Sequence, residues 1–478
     1  MNLKIKLRRK VFSLVGGVAD RMGRECYVVG GFVRDLIIGR PSKDIDFVTV
    51  GSGIELAEAV ARETGPGTHL AVYRNYGTAQ VHHKSLELEF VGARKESYRR
   101  DSRNPIVEDG TLDDDLSRRD FTINAMAISV NADTFGTLID RFDGLGDIRR
   151  RIIRTPLDPD ITFSDDPLRM LRAVRFATQL QFDIYPDTLD AITRNASRLE
   201  IITAERIKDE LGKIMRSPRP STGWDLLHRT GLLKYILPEL EALKGVEVVN
   251  GRGHKDNFYH TLTVLDSVAA GSDNEWLRWA ALLHDIAKPV TKRFDPATGW
   301  TFHNHNFVGA KMVPRIFSRL RLPLGAEMRY VQKLVELHMR PIALVEEEVT
   351  DSAVRRLMNY AEDDLADLML LARADITSKN EAKKQRFLDN FDLVEKKFCD
   401  IAAKDSERNR KNPVDGNEIM HIFGLSQSPL VGYFTKNLKQ AIKDCEIEDT
   451  REAALGYLYM LAEKAGITPV NPPLESQE

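Results

Sequence analysis

Gly30-Gly31-Phe32-Val33-Arg34-Asp35, followed by Lys43-Asp44-Ile45-Asp46-Phe47, decides how this chain is read. Cys26-Tyr27-Val28-Val29 just upstream has the composition of a buried strand. The glycine pair lets backbone approach a ligand closely, because no β-carbon stands in the way. Amides exposed in such a turn, with a helix starting near Phe32, suit a phosphate group. Strand side chains alternate, so Asp44 and Asp46 share one face of the next strand. Two carboxylates on one face are costly without a cation. A Mg²⁺ pair about 3.5–4 Å apart would neutralise them and hold a triphosphate for in-line attack. A simple turn followed by a solvated acidic strand explains either half alone. The strand–turn–helix–strand order, with Lys43 beside the acids, favours nucleotidyl transfer.

The 478 residues suffice for several domains. With 42% hydrophobic and 29% charged residues, the chain can build cores and stay soluble. A formal charge of −2 argues against a uniformly basic nucleic-acid coat and leaves room for a local basic strip. Cys26, Cys399 and Cys445 are scattered, which points to a reducing, cytoplasmic setting without a disulfide or zinc framework. The basic N-terminus with Val11-Phe12-Ser13-Leu14-Val15 imitates a signal peptide, but Asp20, Arg21 and Arg24 follow at once. An amphipathic helix is the better reading there. No apolar run is long enough to span a membrane.

Onward to about residue 140 the pattern is mixed α/β. A helix over Ile54–Glu63 precedes strands near Leu70–Tyr73, Thr78–His82 and Leu86–Val91, the last carrying Glu89 as a possible third carboxylate. Lys95 to Ser117 reads as polar and irregular: a solvated loop, with the run Asp113-Asp114-Asp115, or a lid. In Arg118-Arg119-Asp120-Phe121-Thr122-Ile123-Asn124, Asp120 and Asn124 are one helical turn apart. They suit a ribose hydroxyl, or Asp120 caps a helix.

From about Phe142 the pattern is almost wholly helical. Arg149, Arg150, Arg151 and Arg154 form a basic cluster suited to phosphate. Asp165-Asp166-Pro167-Leu168-Arg169 opens a helix that carries Arg172 and Arg175. A capped helix with a charged edge explains it. Beside a nucleotide, Asp166 accepts and Arg169 donates. That pair fits the N4–H and N3 of cytosine and the N6–H and N1 of adenine, and it opposes guanine and uracil.

In this order the motifs resemble the class II tRNA nucleotidyltransferase and bacterial poly(A) polymerase family, over roughly residues 25–240. The resemblance implies an α+β chain: a polymerase-β-like head, then all-α neck, body, HD and tail regions. It places Asp44 and Asp46 on Mg²⁺, with Glu89 as third carboxylate. It puts Gly30, Gly31, Arg34 and Lys43 near the triphosphate and Arg119, Asp120 and Asn124 near the ribose. Asp166 and Arg169 become the base reader, with Arg172 beside them. The family often has Glu-Asp where this chain has Asp165-Asp166, and the role of Asp165 stays open. Glu205, Arg206 and Glu210 stiffen a neck helix, touch nucleotide, or form surface salt bridges.

Six of the eleven histidines fall between His254 and His338. Imidazole and carboxylate on facing helices can assemble a metal site. His260, His284-Asp285 with Lys288, His305, His338 and Asp375 resemble, in order, an HD domain of metal-dependent phosphohydrolases. That resemblance implies one divalent metal, of unspecified identity, on His260, His284, Asp285 and Asp375. It implies a second at His305 and His338, bridged by Asp285. His254 and His303 have no counterpart in it.

The expected division is a head over 1–140, neck and body over 141–249, HD domain over 250–380 and helical tail over 381–478. In the tail, Glu395–Asp405 reads as a charged helix and Arg408 to Pro413 as a basic turn. The turns at Val414-Asp415-Gly416 and Gly424 present amides to phosphate or merely cap packed helices. The resemblance implies addition of C, C and A to a tRNA 3′ end from CTP and ATP, with a tail that contacts tRNA. A poly(A) polymerase, or an enzyme adding only CC or only A, has the same motifs. A phosphohydrolase with a nucleotide-binding head, and a non-catalytic RNA-binding module, are the readings of other classes.

Overall fold

A computed structural model describes residues 2–3, 7, 10–99, 102–249, 252–253, 256–346, 350–376, 381–409, 412–443, 446–448 and 450–474. His254, Arg410, Lys411 and Cys445 lie outside the described residues. The chain forms two compact units, residues 1–348 with 357–391, and residues 349–356 with 392–478.

The first unit opens with helix α1 (Lys10–Arg21), whose Phe12, Val15 and Val18 are buried, so the amphipathic reading of the N-terminus holds. The head then runs β1 (Cys26–Val29), α2 (Gly31–Ile38), β2 (Asp44–Thr49), α3 (Gly53–Thr64), β3 (Thr68–Tyr73), β4 (Thr78–His83) and β5 (Leu86–Gly92). A hairpin of β6 (Arg94–Arg99) and β7 (Ser102–Asp109), helix α4 (Leu112–Ser117), β8 (Met126–Ser129) and β9 (Leu138–Asp140) complete it. The irregular loop expected over Lys95 to Ser117 is therefore a hairpin and a helix. Polar composition had hidden both. In α4, Thr111 and Asp114 form a reciprocal capping box.

Seven strands make one sheet, in the order β3-β4-β5-β2-β1-β8-β9. Within this sheet, among the described residues, only β2 and β5 pair in parallel, as a crossover through α3 requires. Alternation sorts β2 onto two faces. Ile45 and Phe47 join the main core under α1 and α3, where Phe47 stacks on Phe90 with centroids 5.0 Å apart. Asp44, Asp46 and Val48 face the other way. There Leu112 and Leu116 of α4 cover Val48 and Val29, and the acidic end of the strand stays open.

After the head come α5 (Gly144–Arg150), α6 (Pro159–Asp165), α7 (Leu168–Leu180), α8 (Pro186–Asn195) and α9 (Ala204–Met215). The HD segment is built from helices Asn257–Gly271, Glu275–Leu283, His305–Arg319, Ala326–Leu337 and Leu365–Asp375. Among the described residues no helix is long and apolar enough to cross a membrane.

The second unit has its own core, with Val414, Ile419, Ile422, Phe434, Leu438 and Leu458 buried among its helices. Asp415 caps Gly416–Phe423 by accepting from the Glu418 N–H at 2.8 Å, and Gly424 ends that helix at φ +60°. Both turns are caps in a packed tail. Arg408 and Asn409 end the helix Glu381–Asn409.

Candidate active site and metal centre

Register builds the acidic face. The parallel pairing of β2 with β5 sets Asp46 beside Glu89 and Asp44 beside Glu87, and β4 adds Gln80 beside Glu89. Glu87 and Gln80 were not foreseen, since only strand pairing aligns them. Like charges side by side repel. Burial, and then Asp44, push the Asp46 pKa up, against Arg119. Burial, and then Asp46, push Glu89 up, against Arg94. A face on which acids crowd one another in this way fits a bound cation.

Gly30 is where the backbone must turn. Its φ of +72° and ψ of −137° suit glycine alone. A β-carbon there would meet Arg119 Nη1 at 2.8 Å and Asp46 Oδ2 at 3.5 Å. Asp120 is buried and accepts from Arg172 Nε at 2.7 Å, Asn124 Nδ2 at 3.0 Å and the Phe121 N–H at 2.9 Å. Burial opposes its charge, but Arg172 and Asn124 overcome this and hold its pKa down at about 2. The turn that brings Asn124 back is a 3₁₀ turn over Thr122–Asn124 with Phe121 at its cap, so Asp120 caps no helix. Asn124 Oδ1 in turn accepts from Arg34 Nη1 at 2.8 Å. Arg34 is buried, bonded also to Asp35, and lies over the Phe176 ring.

Two adjoining cavities share Asp46, Glu89, Arg119, Asp120 and Arg172. The larger, about 590 Å³, adds Gly30, Gly31, Arg34, Asp44 and Asn124. The smaller, about 330 Å³, adds Asp166 and Arg169 together with Arg94, Arg118 and Arg206. Lys43 is exposed and lines neither. Asp166 and Arg169 do not pair with each other here. Asp166 accepts from Arg206 at 2.9 Å and from the Leu168 N–H at 3.1 Å, while Arg169 Nη2 donates to the Arg118 carbonyl at 2.8 Å. Helix α9 thus reaches the site: Arg206 braces Asp166, and the buried Glu210 stands 3.1 Å from Arg175. Glu205 makes a surface pair with Arg321. In the basic cluster, Arg150 and Arg154 both pair with Asp147, at 2.8 and 3.0 Å. The acidic run also differs from a solvated loop, because Asp115 is fully buried and holds Arg118 and Arg119.

In the HD segment, the six side chains singled out from the sequence converge. His260 Nε2 is 2.7 Å from Asp375 Oδ1, and His284 Nε2 is 3.2 Å from Asp285 Oδ2 and 3.6 Å from Asp375. His305 Nε2 lies 3.3 Å from Asp285 Oδ1 and 3.3 Å from His338 Nε2. Lys288 Nζ lies 2.5 Å from Asp285 Oδ2. His284, His305 and His338 each face a backbone carbonyl with Nδ1, at 2.8, 2.8 and 2.7 Å, which turns every Nε2 inward. That is the arrangement of metal-ligating imidazoles. His284 Nε2 is buried without a hydrogen bond. Burial disfavours an imidazolium at His284, yet Asp285 and Asp375 draw its pKa up to about 10. Two groups could each hold an ion, His260/His284/Asp285 and Asp285/His305/His338, with Asp285 common to both. His303 is exposed.

Comparison with known proteins agrees with this architecture. The poly A polymerase head domain family matches residues 26–154, a probable RNA- and SrmB-binding site of polymerase A matches 181–244, and the HD domain matches 257–380. The A-adding tRNA nucleotidyltransferase of Deinococcus radiodurans is 32% identical over 435 residues, 89% of this chain and 93% of the relative. The CC-adding tRNA nucleotidyltransferase of Thermus thermophilus is 31% identical over 452 residues, 91% and 94% of the two chains. A solved tRNA nucleotidyltransferase, complexed with a primer tRNA and an incoming ATP analog, superposes with a TM-score of 0.57 at 26% identity, covering 80% of this chain and 98% of that one. With likeness running through head, neck and HD segment alike, this chain belongs to the tRNA nucleotidyltransferase family and is an enzyme.

Proposed function

We propose that the enzyme adds C, C and A to the tRNA 3′ end from CTP and ATP, and that its HD segment is a metal-dependent phosphohydrolase. The observation that carries the first part is the joining of two cavities through Asp46, Glu89, Arg119, Asp120 and Arg172. One contains the acids and the glycine turn, the other the acceptor and donor suited to a base.

In the reaction, the RNA 3′-hydroxyl oxygen bonds to the α-phosphorus of CTP or ATP, and the bond to pyrophosphate breaks. Mg²⁺ held by Asp44 and Asp46, with Glu89 alongside, would supply charge neutralisation to the triphosphate and the leaving group. Asp120 and Asn124, locked together by their hydrogen bond, hold the ribose. Asp166 accepts from N4–H or N6–H while Arg169 donates to N3 or N1. Arg172, pinned by Asp120, keeps positive charge at the junction of the cavities. Catalysis is then chiefly positioning and electrostatics. In the HD segment, His260, His284, Asp285 and Asp375 would hold one divalent ion and His305 and His338 the second, which would supply a Lewis acid for phosphoester hydrolysis. The buried Nε2 of His284 supports this. We assign residues 1–140 to the head, 141–249 to neck and body, 250–380 to the HD domain and 381–478 to a tRNA-contacting tail, in a cytoplasmic enzyme.

A second reading is favoured by the names of the two relatives that match nearly end to end, one A-adding and one CC-adding. Primer extension decides between them. tRNA transcripts ending before C, before the second C and before A are each incubated with single nucleotides and with CTP plus ATP. Ordered growth to CCA and a stop is expected. A product arrested after CC, or addition of A alone, assigns the split activity. A long A tail indicates poly(A) synthesis, and no extension by metal-loaded protein leaves the HD hydrolase.

A further inference from the structure

We propose that Asp115 is a positioning residue that withholds Arg119 from the carboxylates of the head. The proposal rests on the reading of Asp44 and Asp46 as metal ligands.

Arg119 stands beside Asp46, since Nη1 of the one and Oδ2 of the other flank the same point above Gly30. Asp46 and Glu89 line both cavities together with Arg119, and a nearby guanidinium is the group best shaped to close on their oxygens. Closure would occupy the oxygens that a divalent cation needs. Asp115 prevents it from the far side. Arg119 donates Nε and Nη2 to Asp115 Oδ2 at 3.2 and 2.9 Å, which leaves Nη1 as the nitrogen facing the site. Oδ1 of the same carboxylate takes Arg118 through Nε at 3.1 Å and through Nη2.

The local fold produces this clamp. The Thr111/Asp114 capping box fixes the start of α4, and Asp115 then falls on the inner face between Leu112 and Leu116, with no exposed surface. Arg118 and Arg119 follow three and four residues later, where side chains on a helix meet. Asp113, by contrast, pairs with Arg141 at the surface. One carboxylate serving two guanidiniums leaves one positive charge in excess among the three, with Arg119 lining both cavities and Arg118 the smaller one.

An anchor for the end of α4 would make the same bonds, so the test must separate anchoring from withholding. Free Mn²⁺ is titrated by electron paramagnetic resonance against full-length protein, with Asp46→Asn as the blank that defines the head signal. Asp115→Asn is expected to weaken head Mn²⁺ affinity at least about tenfold. Adding Arg119→Gln to it is expected to restore affinity to within about threefold of wild type, because no cation is left to close on the acids. Unchanged affinity in Asp115→Asn overturns the proposal. So does a loss that Arg119→Gln does not restore, which makes Asp115 an anchor. If circular dichroism shows that Asp115→Asn does not fold, Arg119→Gln alone is read: affinity at or above wild type supports withholding, and a tenfold fall overturns it. A wild type that titrates like Asp46→Asn removes the metal reading of the head itself, and the proposal with it.

Discussion

Replacing Asp120 by asparagine measures how much the head depends on one buried charge. Asp120 accepts from Arg172 at 2.6 and 2.7 Å, from Asn124 at 3.0 Å and from the Phe121 amide at 2.9 Å. Its pKa is held at about 2 against an ordinary 3.8. At about 1.4 kcal/mol per pKa unit, the ionised carboxylate is favoured in the folded head by roughly 2 kcal/mol. Asparagine keeps the shape, loses that stabilisation and turns an N–H₂ toward two donors. A folded-state pKa below the unfolded one stabilises above about pH 4, and the effect disappears as pH falls toward 2. Hydrogen exchange read by mass spectrometry on peptides spanning residues 118–129 is the assay. Protection at pH 7 should fall roughly 30-fold, the equivalent of about 2 kcal/mol. Protection within about threefold of wild type would refute the view that this charge network holds the turn.

Four other outcomes follow from the geometry. Arg206→Ala frees Asp166 from a partly exposed pair, so stability should change by less than about 1 kcal/mol while discrimination against UTP and GTP falls about tenfold; Arg169→Ala should lose discrimination and also slow transfer, and unchanged selectivity in both would place base reading elsewhere. His284→Ala with Asp285→Ala should lose bound divalent metal by elemental analysis, and full retention would defeat the ligand assignment. Burial and neighbouring charge raise Asp46 and Glu89, so protons compete with the cation above the usual carboxylate range. The Mg²⁺ concentration for half-maximal transfer should therefore rise as pH is lowered toward the carboxylate range, and a flat requirement would contradict the site.

The sequence by itself determined whatever depends on short-range periodicity and motif order. Alternation along β2 put Asp44 and Asp46 on one face before any fold was known. The ordered histidines and aspartates of the HD segment did the same for six side chains that the helices then bring together. Only the tertiary structure decided contacts between segments distant along the chain, because nothing in the spacing of Arg206 points to Asp166, forty residues earlier. Pairing register decided that Glu87 and Gln80 join the acidic face. The three aspartates of α4 show the physical reason most directly. Each helical residue rotates the side chain by about 100°, from 3.6 residues per turn. Asp113 therefore meets Arg141 at the surface, Asp114 caps its own helix, and Asp115 turns inward to hold the two arginines of the site. Composition reads the three as one solvated run, and only the packing of α4 against the sheet tells them apart.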